Sequence, residues 1–318
     1  LTGAELKLTA PDGVDLSKVG YAYGDKSTDG IENDGKTISW TSDGTKGSVE
    51  LTDLPAGTYT LEEITAPDGF TKKTETMTFV VGADGKVEDV SFYVRKGEIV
   101  GIAGLVGAGK SELCKTIFGA YERTSGSVLL GGRELKINNP SQAVKNGIAL
   151  VPEERRKEGV LVNENVTLNL SAAALSKFCN GSFVSKAKTE KNAHEYVKGL
   201  DIKTPSIKQH VKNLSGGNQQ KVAVGKWLAA DCDVYIFDEP TKGVDVGAKQ
   251  DIFRLINDIT LRGNSVIYAS CENAELLSIT DRIYVLFDGR VMAELETAKT
   301  DEDEIMHYAV GSTTKYAR

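Results

Sequence analysis

The pattern of apolar and polar positions changes character part-way along the chain. Up to about residue 87 it alternates. Short runs such as Glu5-Leu6-Lys7-Leu8, Tyr59-Thr60-Leu61-Glu62 and Thr76-Met77-Thr78-Phe79-Val80-Val81 place alternate residues on one face, the period of a half-buried strand. PDG, DGK, SDG, PAG and ADGK turn sequences punctuate these runs. Threonine is frequent and no helical period persists, so this half predicts a small antiparallel β-sandwich. Beyond it, continuous apolar strands alternate with helical patterns. Ile99–Ala103 and Val234–Phe237 read as strands buried on both faces. A helix is expected over 112–118, and another after Leu214 that carries Val224, Trp227 and Leu228 on one face. The expected architecture is multidomain, with a small all-β sandwich over residues 1–87 and an α/β unit over 88–318.

Charge sharpens that boundary. The chain of 318 residues has a net charge of −7, but residues 1–89 carry −9 and the remainder +2. No arginine or cysteine occurs before Arg95. Without a basic face, a duplex nucleic-acid partner is not expected. The longest weakly polar run, Ile99 to Gly109, falls short of the ~20 residues of a membrane span. The sequence from Leu1 shows no basic and apolar leader, so no secretion signal is visible. Cys114, Cys179, Cys232 and Cys271 lack CxxC or histidine spacing, which suits free thiols in a reducing compartment.

Chemistry enters at the end of the Ile99–Ala103 strand. There Gly104-Leu105-Val106-Gly107-Ala108-Gly109-Lys110-Ser111 reads GxxxxGKS, between a strand and a helix, the context in which this pattern forms a phosphate-binding loop. Backbone N–H groups of Gly107, Ala108 and Gly109 would cradle phosphate, with Gly104 opening the turn. Lys110 would neutralise β and γ oxygens of ATP, and Ser111 would offer its hydroxyl to Mg²⁺. Downstream, Val234-Tyr235-Ile236-Phe237-Asp238-Glu239 is an apolar strand ending in two acids. Asp238 would hold Mg²⁺ through water, and Glu239 would orient and polarise the attacking water. Ser215, Gly216 and Gly217 open a helix and form a second anion-binding terminus.

The order of these motifs, with LSGGNQQ between the phosphate loop and the acidic strand, resembles the nucleotide-binding domain of an ABC ATPase. GLVGAGKSEL, VPEERRKEGV, LSGGNQQKVAVGKWL, DEPTKGVDVGAK and DGRVMAEL together resemble the second ATPase domain of ribose, galactose and xylose importers, from Lys86 to the C-terminus. The resemblance implies a head-to-tail dimer in which Ser215, Gly216 and Gly217 of one domain cap the ATP held by the other, with Asp245 in the dimer-contact loop. It also implies membrane permease subunits and, indirectly, a periplasmic or lipoprotein sugar-binding protein. Two positions depart from the general pattern. Glu153 stands where most such domains have a glutamine, and Cys271 where they have a histidine facing the γ-phosphate. Both departures point to slow hydrolysis. The aromatic that usually stacks on adenine has no counterpart upstream of Val90-Ser91-Phe92, and Phe79 is read as a core residue of the β half.

The segment LTDLPAGTYTLEEITAPDGF, residues 51–70, resembles the prealbumin-like repeats of Gram-positive surface adhesins and pilins. Many of these carry a lysine–asparagine or lysine–aspartate isopeptide bond assisted by a glutamate. Glu63 stands at the glutamate position, but Lys7 and Asp89 match the other two poorly, so Glu63 is read as an ordinary strand carboxylate. Of the remaining features, Thr300 followed by four acids is expected to cap a helix, Glu153 to Glu158 to form an exposed loop, and His194, His210 and His307 to lie on the surface. The expected function is ATP hydrolysis driving carbohydrate import at the cytoplasmic face of the membrane. The alternatives are a surface protein whose β module is functional, as that module alone would suggest, and a soluble ABC ATPase without a transporter. The two patterns overlap over residues 84–90 with no linker, as in a chimera.

Overall fold

The computed structural model describes residues 2–23, 27–46, 48–52, 54–55, 57–67, 69, 77–81 and 87–316. It divides into two compact units, Leu1–Lys86 and Val87–Arg318.

The first unit contains β1 (Glu5–Thr9), β2 (Gly20–Tyr23), β3 (Ile31–Asn33), β4 (Thr37–Thr41), β5 (Val49–Thr52), β6 (Gly57–Thr65) and β7 (Met77–Val81). A five-stranded antiparallel sheet runs β3-β4-β1-β6-β7, and β2 pairs with β5. Alternation decides which residues face inward. Leu8, Leu16, Val19, Tyr23, Ile31, Ile38 and Tyr59 form the core, and the Tyr59 hydroxyl donates to the Pro55 carbonyl at 2.6 Å. Glu63 is half-buried on β6, with Leu6 as its register partner across from β1, while Lys7 lies opposite Glu62. Asp89 belongs to the second unit. The Phe79 backbone pairs with Tyr59, and its side chain lies outside the described residues.

The second unit is built on β8 (Ile99–Ala103), β9 (Val128–Leu130), β10 (Arg133–Leu135), β11 (Ile148–Val151), β12 (Cys179–Asn180), β13 (Phe183–Val184), β14 (Val234–Asp238), β15 (Ser265–Ala269), β16 (Arg282–Phe287) and β17 (Arg290–Glu296). Its helices are α1 (Lys110–Ile117), α2 (Pro140–Lys145), α3 (Val166–Ala172), α4 (Lys186–Gly199), α5 (Gly216–Leu228), α6 (Val246–Leu261), α7 (Asn273–Ile279) and α8 (Glu302–Ala309). The main sheet runs β11-β14-β15-β8-β16-β17, parallel except for β17. Strands β8, β14 and β15 are buried throughout, which explains their apolar runs, interrupted only by Ser265 at the start of β15 and Asp238 at the end of β14. Their carboxyl ends meet on one side, where ligands bind in open α/β sheets. A second apolar cluster, including Val166, Leu170, Ala193, Val211 and Val222, joins α3, α4 and α5. No helix of the described residues is long and apolar enough to cross a membrane.

Two local expectations are corrected, the cap of α8 and the form of the Glu153–Glu158 segment. The cap of α8 is Asp301, whose Oδ1 accepts from the Glu304 N–H at 2.9 Å; Thr300 instead donates to the Glu304 carboxylate. His307 lies at the surface as expected, half-buried with its ring edge-on to Tyr308 and Tyr316. The segment expected to be an exposed loop closes a turn of π-helix over Arg155–Gly159, a geometry frequent at functional sites.

Candidate nucleotide site

The Gly104–Ser111 loop leaves β8 and enters α1 at once, so the first N–H groups of that helix have no carbonyl partner inside it. Gly104 is required by space, since a Cβ there would lie 2.7 Å from the Leu286 carbonyl oxygen and 2.9 Å from the Ala108 Cβ. Gly109 caps α1 with φ of 96°, a left-handed value that favours glycine. Lys110 is only 6% exposed. Its ammonium donates to the carbonyls of Gly104 at 2.8 Å and Leu105 at 3.2 Å, and it lies 3.6 Å from Glu239 Oε1.

Beside it, Ser111 Oγ donates to Asp238 Oδ1 at 2.9 Å. Asp238 is wholly buried, and its other oxygen, Oδ2, has no hydrogen-bond partner. Burial raises the Asp238 carboxyl to about 6; the Ser111 hydrogen bond opposes the rise, while Glu153 and Glu239 add to it. Glu239 sits at φ of 45° and is anchored by its N–H to the Ala269 carbonyl at 2.9 Å. Its Oε2 accepts from the Cys271 thiol at 3.6 Å. Burial also raises the Glu239 carboxyl, against the pull of the Lys110 charge, and it raises the Cys271 thiol. An unsatisfied buried carboxylate oxygen beside a hydroxyl fits Mg²⁺, a hard ion that takes one or two protein oxygens and keeps several waters. Among the described residues there is no group of three or more His, Cys, Asp or Glu that could hold a metal.

A second assembly forms at the start of α5. Ser215 caps this helix, and the Asn218 side chain donates to its Oγ at 2.8 Å. Asp245 caps α6 through the Ala248 N–H at 3.0 Å. A Cβ on Gly217 would fall 2.6 Å from the Ala248 Cβ and 3.9 Å from Asp245 Oδ2, so the two helix starts lie against each other. The nearest neighbours of Gly216 and Gly217 come from Arg155, Gly243, Val244, Asp245 and Ala248, and none from the Gly104–Ser111 loop. Glu153 is half-buried and pairs with Lys242 at 2.5 Å.

Residues 87–242 match the family model described as ABC transporter. This part of the chain has the fold of an ATP-binding cassette. Residues 1–96 match the model of a prealbumin-like fold domain, so the two matches overlap over 87–96. Relatives include the ribose import ATP-binding protein RbsA of Clostridium perfringens (strain 13 / Type A), 47% identical over 227 residues, 71% of this chain and 45% of the relative. The xylose import ATP-binding protein XylG of Thermoanaerobacter pseudethanolicus is 44% identical over 226 residues, again 71% of this chain and 45% of its own length. The chain thus spans less than half the length of these relatives. Among solved structures, a nucleotide-free ATP-binding cassette from an ABC transporter superposes with a TM-score of 0.61 at 22% identity, covering 74% of this chain and 94% of that one. A dimeric cassette in a post-hydrolysis state, bound to ADP and Pi, gives 0.57 at 21% identity, covering 72% and 94%. At these identities the likeness shows the fold.

The candidate site residues of the second unit separate into two sets. Lys110, Ser111, Asp238, Glu239 and Cys271 are linked by direct contacts around the strand ends. Ser215, Gly216, Gly217 and Asp245 gather elsewhere, and Glu153 stands between the two sets, near enough to raise the Asp238 carboxyl while paired with Lys242. Two participants are not evident from sequence patterning. Arg155 donates to the carbonyls of Lys242 at 2.8 Å and Gly243 at 3.2 Å. Glu275, buried on α7, accepts from Thr241 at 2.7 Å, Tyr268 at 2.7 Å and Ser270 at 3.2 Å, and pairs with Lys249 at 2.8 Å. It thereby braces the segments on either side of Glu239 and Cys271. The acid itself carries no motif that marks it, because its role depends on which chain segments the fold brings to it.

Proposed function

We propose that the ATPase domain, in the division of the chain near residue 87, binds Mg-ATP and hydrolyses it in a head-to-tail pair to drive carbohydrate import. The observation that carries this reading is the buried Ser111–Asp238 pair, with one carboxylate oxygen left over, directly beside Lys110 and Glu239. Backbone N–H groups of the Gly104–Ser111 loop bind the phosphates, and Lys110 leaves its carbonyl partners to meet the β and γ oxygens. Ser111 and Asp238 would hold Mg²⁺, which would supply charge neutralisation at the phosphates. Glu239, held beside the Lys110 ammonium and the Cys271 thiol, orients the water and draws its proton. Because Ser215, Gly216 and Gly217 have their neighbours away from the phosphate loop, their N–H groups are available to the γ-phosphate on a second copy. The names of the relatives support sugar import, hence permease subunits, an associated sugar-binding protein and a place at the cytoplasmic face of the membrane.

The test is Mg²⁺-dependent release of inorganic phosphate from ATP by the purified chain, with Lys110→Ala and Glu239→Gln as controls. The reading expects slow turnover, abolished by either change. Release unaffected by both would refute it.

A further inference from the structure

The Glu153–Gly159 segment is gripped from three sides. Arg155 donates through both terminal nitrogens to the backbone carbonyls of Lys242 and Gly243, while Glu153 binds the Lys242 ammonium at 2.5 Å. At the far end of the turn, the Gly159 carbonyl accepts from Lys226 of α5 at 2.6 Å. Glu158 pairs at 3.0 Å with Lys115 of α1, the helix that begins at the phosphate loop. The Arg155 guanidinium also lies against the start of α5, where a Cβ on Gly216 would fall 2.9 Å from its Nη2. One short π-helical turn therefore touches the helix that carries the phosphate loop, the loop that leads to Asp245, and both ends of the helix that Ser215 opens.

The geometry points to Arg155 as a positioning residue that locks the Lys242–Asp245 loop to the start of α5, so that both elements meet a second copy as one surface. The inference rests on the head-to-tail reading above. A carbonyl has no side chain with which to specify a partner, so the planar guanidinium fork sets the spacing between the loop and the helix. Lysine would offer both carbonyls one rotatable ammonium on a flexible stem in place of a rigid fork, and so would fix the spacing less well. A Cβ on Gly216 would push on the fork, its nearest neighbour at 2.9 Å being Arg155 Nη2. The Lys115–Glu158 pair links this assembly to the phosphate-loop helix of the same copy.

The experiment uses the full chain carrying Glu239→Gln, which keeps ATP from being consumed. Sedimentation velocity in Mg-ATP then measures dimer formation, and the Mg-ATP-induced rise in thermal midpoint measures occupancy of the phosphate loop. Arg155→Ala in that background is expected to keep the thermal rise but weaken the dimer about tenfold or more, the scale of losing hydrogen bonds from a charged donor. Arg155→Lys should recover part of the loss. If Arg155→Ala dimerises like its parent, the inference is overturned. If it loses the thermal rise as well, Arg155 acts on the fold or on the cis site, and the inference is again overturned. If the Glu239→Gln parent binds Mg-ATP but forms no dimer, the head-to-tail reading falls and takes this inference with it.

Discussion

Replacing Asp238 by asparagine should make the second unit more stable while removing its response to Mg²⁺. The structure gives the size of the effect. The Asp238 carboxyl is raised from 3.8 to about 6 by burial. A folded value above the unfolded one means that the folded chain binds the extra proton, so stability is lost as pH rises from about 4 to about 6. Two pKa units correspond to about 3 kcal/mol at pH 8. Asparagine keeps an oxygen for the Ser111 hydroxyl but places an amide where Oδ2 has no partner, which returns about 1–2 kcal/mol of that gain. The expected net stabilisation is about 1–2 kcal/mol at pH 8, or a rise of roughly 2–8 °C in the midpoint of a unit of this size. Near pH 4, where the aspartate is already protonated, the advantage should vanish. Urea denaturation at pH 4 and pH 8, followed by Trp227 fluorescence in a Trp40→Phe background, measures both. A variant less stable than its parent at pH 8, or an advantage equal at both pH values, would refute the burial argument.

Three further outcomes follow from the same contacts. Glu275→Ala removes the common partner of Thr241, Tyr268, Ser270 and Lys249 and should cost about 3–5 kcal/mol in denaturant unfolding, the scale for breaking a buried pair; Glu275→Gln should cost less. Gly217→Ala forces a methyl to within 2.6 Å of the Ala248 Cβ and should destabilise by about 1–3 kcal/mol, with Ala248→Gly in the same chain restoring the midpoint. Cys271, exposed but with its thiol raised by burial and by Glu239, should alkylate slowly at pH 7.5. Mass spectrometry should find that Mg-ATP slows it further, because the phosphates occupy the space beside Lys110 and Glu239.

The division of the chain into a β unit and an α/β unit was legible because strand alternation and buried parallel strands leave different patterns, as Leu8 and Ile38 do against Ile236 and Ile267. The turn from β8 into α1 was legible because Gly104 and Gly109 are dictated by backbone geometry, and geometry of that kind is written into residue type. Asp238 and Glu239 could be placed by their position at a strand end. Arg155 and Glu275 could not. Each serves by joining segments far apart in sequence, Arg155 to Lys242 and Glu275 to Thr241, and a contact of that kind has no local spacing to reveal it. The π-helical turn was missed for a related reason, since its polar sequence matches a solvated loop and its form is imposed by Lys226, Lys115 and the Lys242 loop. The cap of α8 fell to Asp301 rather than Thr300, a shift of one residue among several polar residues that could each accept a backbone N–H.

The most direct test of the account is titration of Mg-ATP into the purified chain while its thermal midpoint is followed, beside Lys110→Ala. A ligand that binds only the folded state raises stability with occupancy, by about 2.7 kcal/mol at a hundred times its dissociation constant. The account predicts a saturable rise in the intact chain, dependent on Mg²⁺ and absent from the variant. An unchanged midpoint in the intact chain, or an equal rise in both, would contradict it.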